Sequence, residues 1–340
     1  MSHDQDIYIA GTGASIPGRR DSVAAAVESG RAPEGHADLG YEKIAVAGAV
    51  PATELAIQAA RTALERSEVD PAEVGLALHA SCGFQGIDMW PPSAYIAGRA
   101  VGPSCYPIDI QQRCVGGLAA MRLAIAWLRH GSAAAALLTT GDNFAEPWID
   151  RWNLPTDMIY GDGGTAVVLS TRGGIARIRG SAGGADTEHE GWTRGDTPFT
   201  LQPGTEVPVR MMDRAIENAA HADPYAAWQA YEKVLLSTRD RALAEAGAEL
   251  EDIARVVLPN VHRGSGQAEN YDVIGCTEKQ STWDFGRQVG HLGAGDHFAG
   301  LNHLIEQREV SAGELVLLIG AGAGFTFGAA VVEILGTPGW

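Results

Sequence analysis

Cysteine is scarce in this 340-residue chain: Cys82, Cys105, Cys114 and Cys276 are all there is. They show neither metal-ligand spacing nor a paired pattern, so no metal site and no disulfide framework is expected, and a reducing, cytoplasmic setting fits. Basic residues are also short, with 25 Lys and Arg against 42 Asp and Glu and a net charge of −17. That balance excludes nucleic acid and an anionic membrane surface as general partners, and an acidic partner would need a local basic patch. No basic stretch followed by an apolar core opens the chain, so no signal peptide is expected. One run without charge, Leu315 to Val332, reaches the 18 residues at which a membrane helix is suspected. Gly320, Gly322, Gly324 and Gly328 interrupt it, and it reads better as two buried strands joined by a glycine-rich turn.

What is abundant is glycine, 43 residues, within a composition that is 45% hydrophobic. This suits a large globular enzyme of one big domain or two fused halves. The organising stretch is Asp109-Ile110-Gln111-Gln112-Arg113-Cys114-Val115-Gly116-Gly117-Leu118. A mostly apolar run from Val101 to Ile110 leads in, and an Ala/Leu/Ile pattern from Leu118 to Leu128 leads out. That is a strand, a tight turn and a helix, with Cys114 at the turn. A thiol there faces the unpaired N–H groups of a helix start, which favour thiolate. The plainer alternative is a small buried hydrophobe, the common fate of a cytosolic cysteine.

The order of elements repeats. Ala63-Leu64 through Val74 and the strand Gly75 to His79 match Ala242-Leu243 through Ile253 and the strand Ala254 to Leu258. The closing strands Gly164 to Val168 and Gly328 to Val332 match as well, and Ile7 to Gly11 has a weaker echo in Ala176 to Gly180. Three matches in one order indicate a duplicated α/β unit, with halves 1–172 and 173–340 and a site where their loops converge. Thr53 is the expected cap of a first-half helix, and Asp70-Pro71 starts a further helical turn. Residues 14–50 read as irregular, and 181–230 as insertions of the second half.

Three second-half stretches carry further candidates. Pro259-Asn260-Val261-His262 ends a strand, where α/β sites form. Gly290-His291-Leu292-Gly293-Ala294-Gly295-Asp296-His297 is a glycine-rich loop running into a helix from Phe298. Gly320 to Gly328 is a turn able to present bare backbone N–H groups.

With Cys114 in its Gln-Arg-Cys-Val-Gly-Gly turn, Gly161-Asp162-Gly163 and the Gly322-to-Gly328 turn, the chain resembles the thiolase superfamily, and within it ketoacyl synthase III. The resemblance spans nearly the whole chain. It implies the thiolase fold, a duplicated five-layered αβαβα structure, and a homodimer. It implies acyl transfer to Cys114 from a carrier-protein phosphopantetheine or coenzyme A thioester, with no permanently bound cofactor. The oxyanion hole it implies is the backbone N–H of Cys114 and of Ala323.

Departures from the family pattern narrow this. Ketosynthases of the family place His where this chain has Asn260 and Asn where it has His291. Here the two are exchanged, and Asp296 follows His291 by five residues. This resembles a subgroup of ketosynthase-III-like acyltransferases in antibiotic pathways, which use a Cys, His and Asp triad without condensation. Physically, an imidazole held by a carboxylate can take an acceptor's proton and an Asn cannot. Asn260 is then expected to bind a substrate carbonyl or the acceptor, which would be a sugar hydroxyl, an amine or a second carrier protein. Asp296 would also suit a helix cap. His262 is the rival base, while His297 and His303 are expected on a helix surface or interface. Asp162 is expected to be structural, and Cys82, Cys105 and Cys276 buried and inert. Trp90, in the loop that in the family crosses the dimer interface, is a candidate wall of the acyl pocket or a buried interface residue. The family's adenine grip has no clear counterpart in residues 35–50, which favours a carrier-protein donor. Arg210, Arg214, Arg255 and Arg263 are the candidates for its docking patch.

Overall fold

The structure, a computed structural model, describes residues 5–154, 158–202, 204, 206–261 and 267–340, the side chains of 267–270 excepted. Its strands are β1 (Ile7–Ser15), β2 (Arg20–Ser22), β3 (Lys43–Ala45), β4 (Val74–Ala80), β5 (Tyr106–Ile110), β6 (Ala135–Asp142), β7 (Gly163–Ser170), β8 (Ala176–Ala185), β9 (Ile253–Val257), β10 (Leu315–Gly322) and β11 (Thr326–Ile334). Among the described residues, nine of them form one mixed sheet in the order β5-β4-β6-β7-β1-β8-β11-β10-β9, and β2 and β3 make a separate pair. β4 runs parallel to β5 and β6, and β9 parallel to β10. The first-half and second-half strands meet where β1 pairs antiparallel with β8.

Side-chain alternation sets the layers. Ile7, Ile9, Leu76, Leu78, Val167, Val316, Leu318 and Val332 point into one core, shared with Met121, Ile125 and Leu128 of the helix Gly116–Arg129 and Phe298, Leu301 and Leu304 of the helix Asp296–Glu306. The intervening first-half residues Ala77, Leu137 and Val168 face Ala59, Ala60 and Ala63 of the helix Ala52–Ser67. Their second-half counterparts Val256, Leu317, Ile319 and Val331 face Leu235, Ala242 and Leu243 of the helix Pro224–Ala246. Helix, strands, helices, strands, helix: the expected five layers. Strands covered on both faces need no polar face, which is why β6 and β7 are buried along their whole length. Close approach explains some of the glycine content. A Cβ on Gly11 would lie 2.3 Å from the Ala63 carbonyl, and one on Gly164 2.3 Å from the Leu55 backbone.

Residues 315–332 form the expected two strands, β10 and β11, antiparallel across a turn with Gly324 and Phe325 at positive φ. No helix among the described residues is long and apolar enough to cross a membrane. The order helix, 3-10 turn, strand recurs as Ala52–Ser67, Pro71–Glu73 and β4, then as Pro224–Ala246, Leu250–Asp252 and β9. Asp70 caps its turn as expected, accepting from Ala72 N at 2.9 Å. Thr53 does not cap: the helix begins at Ala52 after Pro51, and Thr53 is buried within it. The lead-in strand is shorter than the apolar run, because Val101 still closes the preceding helix and Gly102, at φ +127°, turns the chain. Residues 14–50 are not irregular either. They hold β2, β3 and the helix Val23–Glu28, packed on Ile159, Trp152 and Trp283.

Candidate active site

β4 and β5 end side by side, with Ser81 N donating to the Ile110 carbonyl at 3.4 Å. The turn after β5, Arg113–Val115, carries Cys114 and leads directly into the helix Gly116–Arg129. Arg113 sits at φ +50°, a left-handed conformation uncommon for any residue other than glycine, and its guanidinium donates to the Cys82 carbonyl at 2.5 Å. The two glycines that follow are required by close neighbours on β4 and in the His291 loop. A Cβ on Gly116 would stand 2.9 Å from that of Ala80 and 3.3 Å from that of Ala294, and one on Gly117 3.0 Å from the Ala294 carbonyl. Only bare backbone lets the helix start meet the loop of His291.

That loop is anchored from both sides. His291 N donates to the Ile159 carbonyl at 2.9 Å, and Gly161 N donates to the His291 carbonyl at 3.0 Å. The imidazole is buried, with Nε2 3.1 Å from the Cys114 sulfur and Nδ1 bonded to Asp296 Oδ2. Asp296 is fully buried at the first position of its helix. It accepts from Leu292 N at 2.7 Å, Asn260 N at 2.7 Å and Asn260 Nδ2 at 3.1 Å. Its carboxylate therefore organises the His291 loop and the end of β9, and it does not cap its helix.

The charges follow from this packing. The Cys114 thiol is held well below its ordinary value by a hydrogen bond from the Cys82 thiol, then, against burial, by His291. Burial opposes charge on His291, but Asp296 and Cys114 outweigh it and hold the imidazole well above its ordinary value. Both shifts favour the charged pair, thiolate and imidazolium, over the neutral one.

A cavity of about 310 Å³ opens on this pair. Cys114, His291 and the turn Gly320–Gly324 form its reactive end, and Met158, Trp228, Tyr231, Phe325 and Phe327 line an apolar remainder. Beneath it, Asp142 at the end of β6 is fully buried and accepts from Cys82 N at 2.9 Å, Gly83 N at 2.8 Å and Ala294 N at 3.3 Å. Burial raises its carboxyl to about 7 despite these donors. Asp142 thus ties the turn beside Cys114 to the loop of His291.

Comparisons with known proteins place the fold in a family. The family description 3-oxoacyl-[acyl-carrier-protein (ACP)] synthase III matches residues 108–187, and its C-terminal counterpart matches residues 243–334. A beta-ketoacyl-[acyl-carrier-protein] synthase III of Rhizorhabdus wittichii is 27% identical, over 96% of this chain and 98% of its own length. The solved structure of ChlB3, described as an acyltransferase, superposes with a TM-score of 0.93 at 35% identity, covering 98% of this chain and 99% of ChlB3. The chain belongs to the ketoacyl synthase III family, within the thiolase superfamily. A 3-oxoacyl-[acyl-carrier-protein] synthase III from Aquifex aeolicus, at 19% identity, shares the fold with a TM-score of 0.78 over 96% of this chain and 99% of its own.

Within this ketoacyl synthase III fold, Cys114, His291 and Asp296 come together as the sequence predicts, and Ala323 shares the cavity wall with Cys114. Asn260, expected at the substrate, is not among the residues lining this cavity. Its Nδ2 donates to Asp296 and to the Gly290 carbonyl at 3.0 Å, and the residue is buried behind the triad. Trp90 lies outside the cavity of its own chain, against Tyr95 with ring centres 5.4 Å apart. His262 and Arg263 lie outside the described residues. His297 is not on a surface: it is completely buried, its Nε2 2.7 Å from where a Cβ on Gly320 would stand. His303 is partly exposed beside Glu309 and Phe285. Asp162 is structural as expected, paired with Arg151 and accepting from Ala47 and Phe144 N–H groups. The three candidate arginines among the described residues each have an acidic neighbour. Arg214 pairs with Glu206, Arg210 with Asp213, and Arg255 with Glu309. Cys105 and Cys276 are buried, but Cys82 is partly exposed beside the Cys114 sulfur. Its position two residues past the end of β4, a strand neighbouring β5, was the available signal.

Proposed function

We propose that this ketoacyl synthase III homologue is an acyltransferase that works through an acyl-Cys114 intermediate. The observation that carries the reading is the continuous contact from Cys114 sulfur to His291 Nε2 at 3.1 Å and from His291 Nδ1 to the buried Asp296. The Cys114 thiolate attacks the thioester carbonyl of an acyl carrier protein's phosphopantetheine, or of coenzyme A. The carbonyl oxygen takes up negative charge opposite the backbone N–H groups of Cys114 and Ala323. Collapse expels the donor thiolate, which takes the His291 proton, and leaves acyl-Cys114. An acceptor hydroxyl, amine or second carrier-protein thiol then gives its proton to neutral His291 and attacks the acyl carbon. Cys114 departs as thiolate and the imidazolium is restored. Asp296 fixes the proton-bearing Nδ1 and stabilises the cation. No resident metal or cofactor enters these steps.

Condensation asks for more than this. In the family's ketosynthases a His and an Asn both polarise a malonyl thioester. Here the amide of Asn260 is committed to Asp296 and the Gly290 carbonyl, leaving His291, among the described residues, as the imidazole facing the cavity. A carrier protein is favoured as donor because Tyr41, an aromatic residue in the stretch where the family grips adenine, is buried and donates to the Asn260 carbonyl at 2.6 Å. A homodimer is proposed through β5, the edge of the sheet, where Tyr106 is exposed and the nearby loop exposes Ile87 and Met89.

The test supplies malonyl and simple acyl thioesters with a panel of hydroxyl, amine and carrier-protein acceptors. Acyl ester, amide or thioester products without carbon dioxide support transfer. Stoichiometric carbon dioxide with a ketide product overturns it in favour of a β-ketoacyl synthase.

A further inference from the structure

Two thiols stand together at this site, and acyl transfer uses one. Cys82 follows β4 and Cys114 follows β5; these strands are parallel neighbours in register at Ala80 and Ile110. Beyond the strand ends the two turns stay joined. Gln111 Nε2 donates to Ser81 Oγ at 3.4 Å, and Arg113 holds the Cys82 carbonyl at 2.5 Å. Asp142 fixes the Cys82 backbone from below. Cys82 and Cys114 are half-buried residues, whereas Cys105 and Cys276 are buried in separate cores.

We propose that Cys82 is a resolving thiol, and that peroxide converts Cys82 and Cys114 into a reversible disulfide. The Cys114 thiolate attacks one oxygen of hydrogen peroxide, the O–O bond breaks, and hydroxide leaves, giving the sulfenic acid Cys114–SOH. The Cys82 sulfur then attacks the Cys114 sulfur. The S–O bond breaks, the departing hydroxide takes the Cys82 proton, and water and the disulfide result. Peroxide is reduced by two electrons and the two thiols are oxidised by two. Cys82 itself is a poor first target, because its hydrogen bond to Cys114 and its burial push its thiol well above the ordinary value. The roles are therefore ordered: Cys114 reacts first and Cys82 resolves. The bond occupies the sulfur that would carry the acyl group, so the oxidised protein is inactive yet protected from sulfinic and sulfonic acids. The proposal needs a reactive Cys114 thiolate and stands whether the protein transfers acyl groups or condenses them.

The experiment treats the whole protein with a small excess of hydrogen peroxide, blocks remaining thiols, and maps peptides by mass. The expected result is a Cys82–Cys114 cross-linked peptide, a loss of two hydrogens from the intact mass, and recovery of Cys114 alkylation after dithiothreitol. Cys82→Ala and Cys82→Ser, each checked for folding by circular dichroism, should instead gain two or three oxygens at Cys114 with no recovery. Wild-type protein that accumulates sulfinic Cys114 while Cys82 stays alkylatable overturns the proposal. So does a disulfide or a glutathione adduct that forms equally well in the Cys82 variants.

Discussion

The His291 Nε2 atom lies 3.1 Å from the Cys114 sulfur, although 177 residues separate them in the chain. The contact joins the starts of two helices that share the central core. Its first consequence concerns thiol acidity. Cys114 is held well below, and His291 well above, its ordinary value.

Iodoacetamide should therefore alkylate Cys114 at a rate that stays flat well below pH 9, the ordinary thiol value. The sign follows from the charges: reactivity falls only when acid protonates the thiolate. In His291→Ala the imidazolium is gone and the alkylation midpoint should move up. An unchanged midpoint would mean that His291 carries no charge beside the sulfur.

Transfer and acylation should separate. Cys114→Ala should abolish labelling by acyl thioesters. His291→Ala should still form some acyl-Cys114 but pass it on about 10²–10⁴-fold more slowly, the usual share of general acid–base help. Asp296→Asn should slow transfer too, since an amide can favour the wrong tautomer. Rapid-quench measurement of acyl-enzyme decay distinguishes these outcomes.

Asn260 acts through Asp296. Asn260→Ala removes an N–H donor from a buried carboxylate, a loss of about 1–3 kcal/mol. The expected readout is a slower kcat and a shifted pH profile at unchanged KM, with partial rescue by Asn260→Gln. A raised KM with kcat intact would restore Asn260 to substrate binding.

Asp142 predicts a pH dependence of stability. Its carboxyl is raised from 3.8 to about 7 in the folded chain, so the folded state holds a proton that the unfolded state has released. That contribution is complete below pH 3.8 and is lost as pH rises through about 7. Asp142→Asn should flatten the urea-midpoint profile across this window, by up to about 1.4 kcal/mol per pH unit. Parallel profiles for the two proteins would show that Asp142 does not titrate there.

Much of this architecture is legible in the sequence because its signals are local and periodic. The duplicated helix–turn–strand order, the glycine-broken run of β10 and β11, and the Cys114 turn each declare themselves within a dozen residues. The exchange of Asn260 and His291, with Asp296 five residues on, points to the triad. What escapes is what depends on packing between distant segments. Asn260 reads as a substrate ligand until Asp296 is seen to take its amide. His297 follows a buried aspartate into a helix whose first seven residues are all buried, which its polar type does not announce. Cys82 reaches Cys114 only because β4 and β5 are neighbours, an adjacency that topology and not composition decides. The four arginines read as a patch because the acidic partners that neutralise three of them come from elsewhere in the chain or, at Asp213, from the next helical turn.

The glycines at 116 and 117 let the first-half helix start touch the Ala294 backbone with nothing in between. The share of Cys114's acidity that His291 supplies, second to that of Cys82, is therefore a built-in gauge of how closely these two segments are seated. Warming or mild denaturant that parts this seam by an ångström would return the sulfur towards ordinary thiol behaviour while both helices are still intact. Chemical reactivity at one atom would then report the first loosening of the structure, ahead of any change in its helical content.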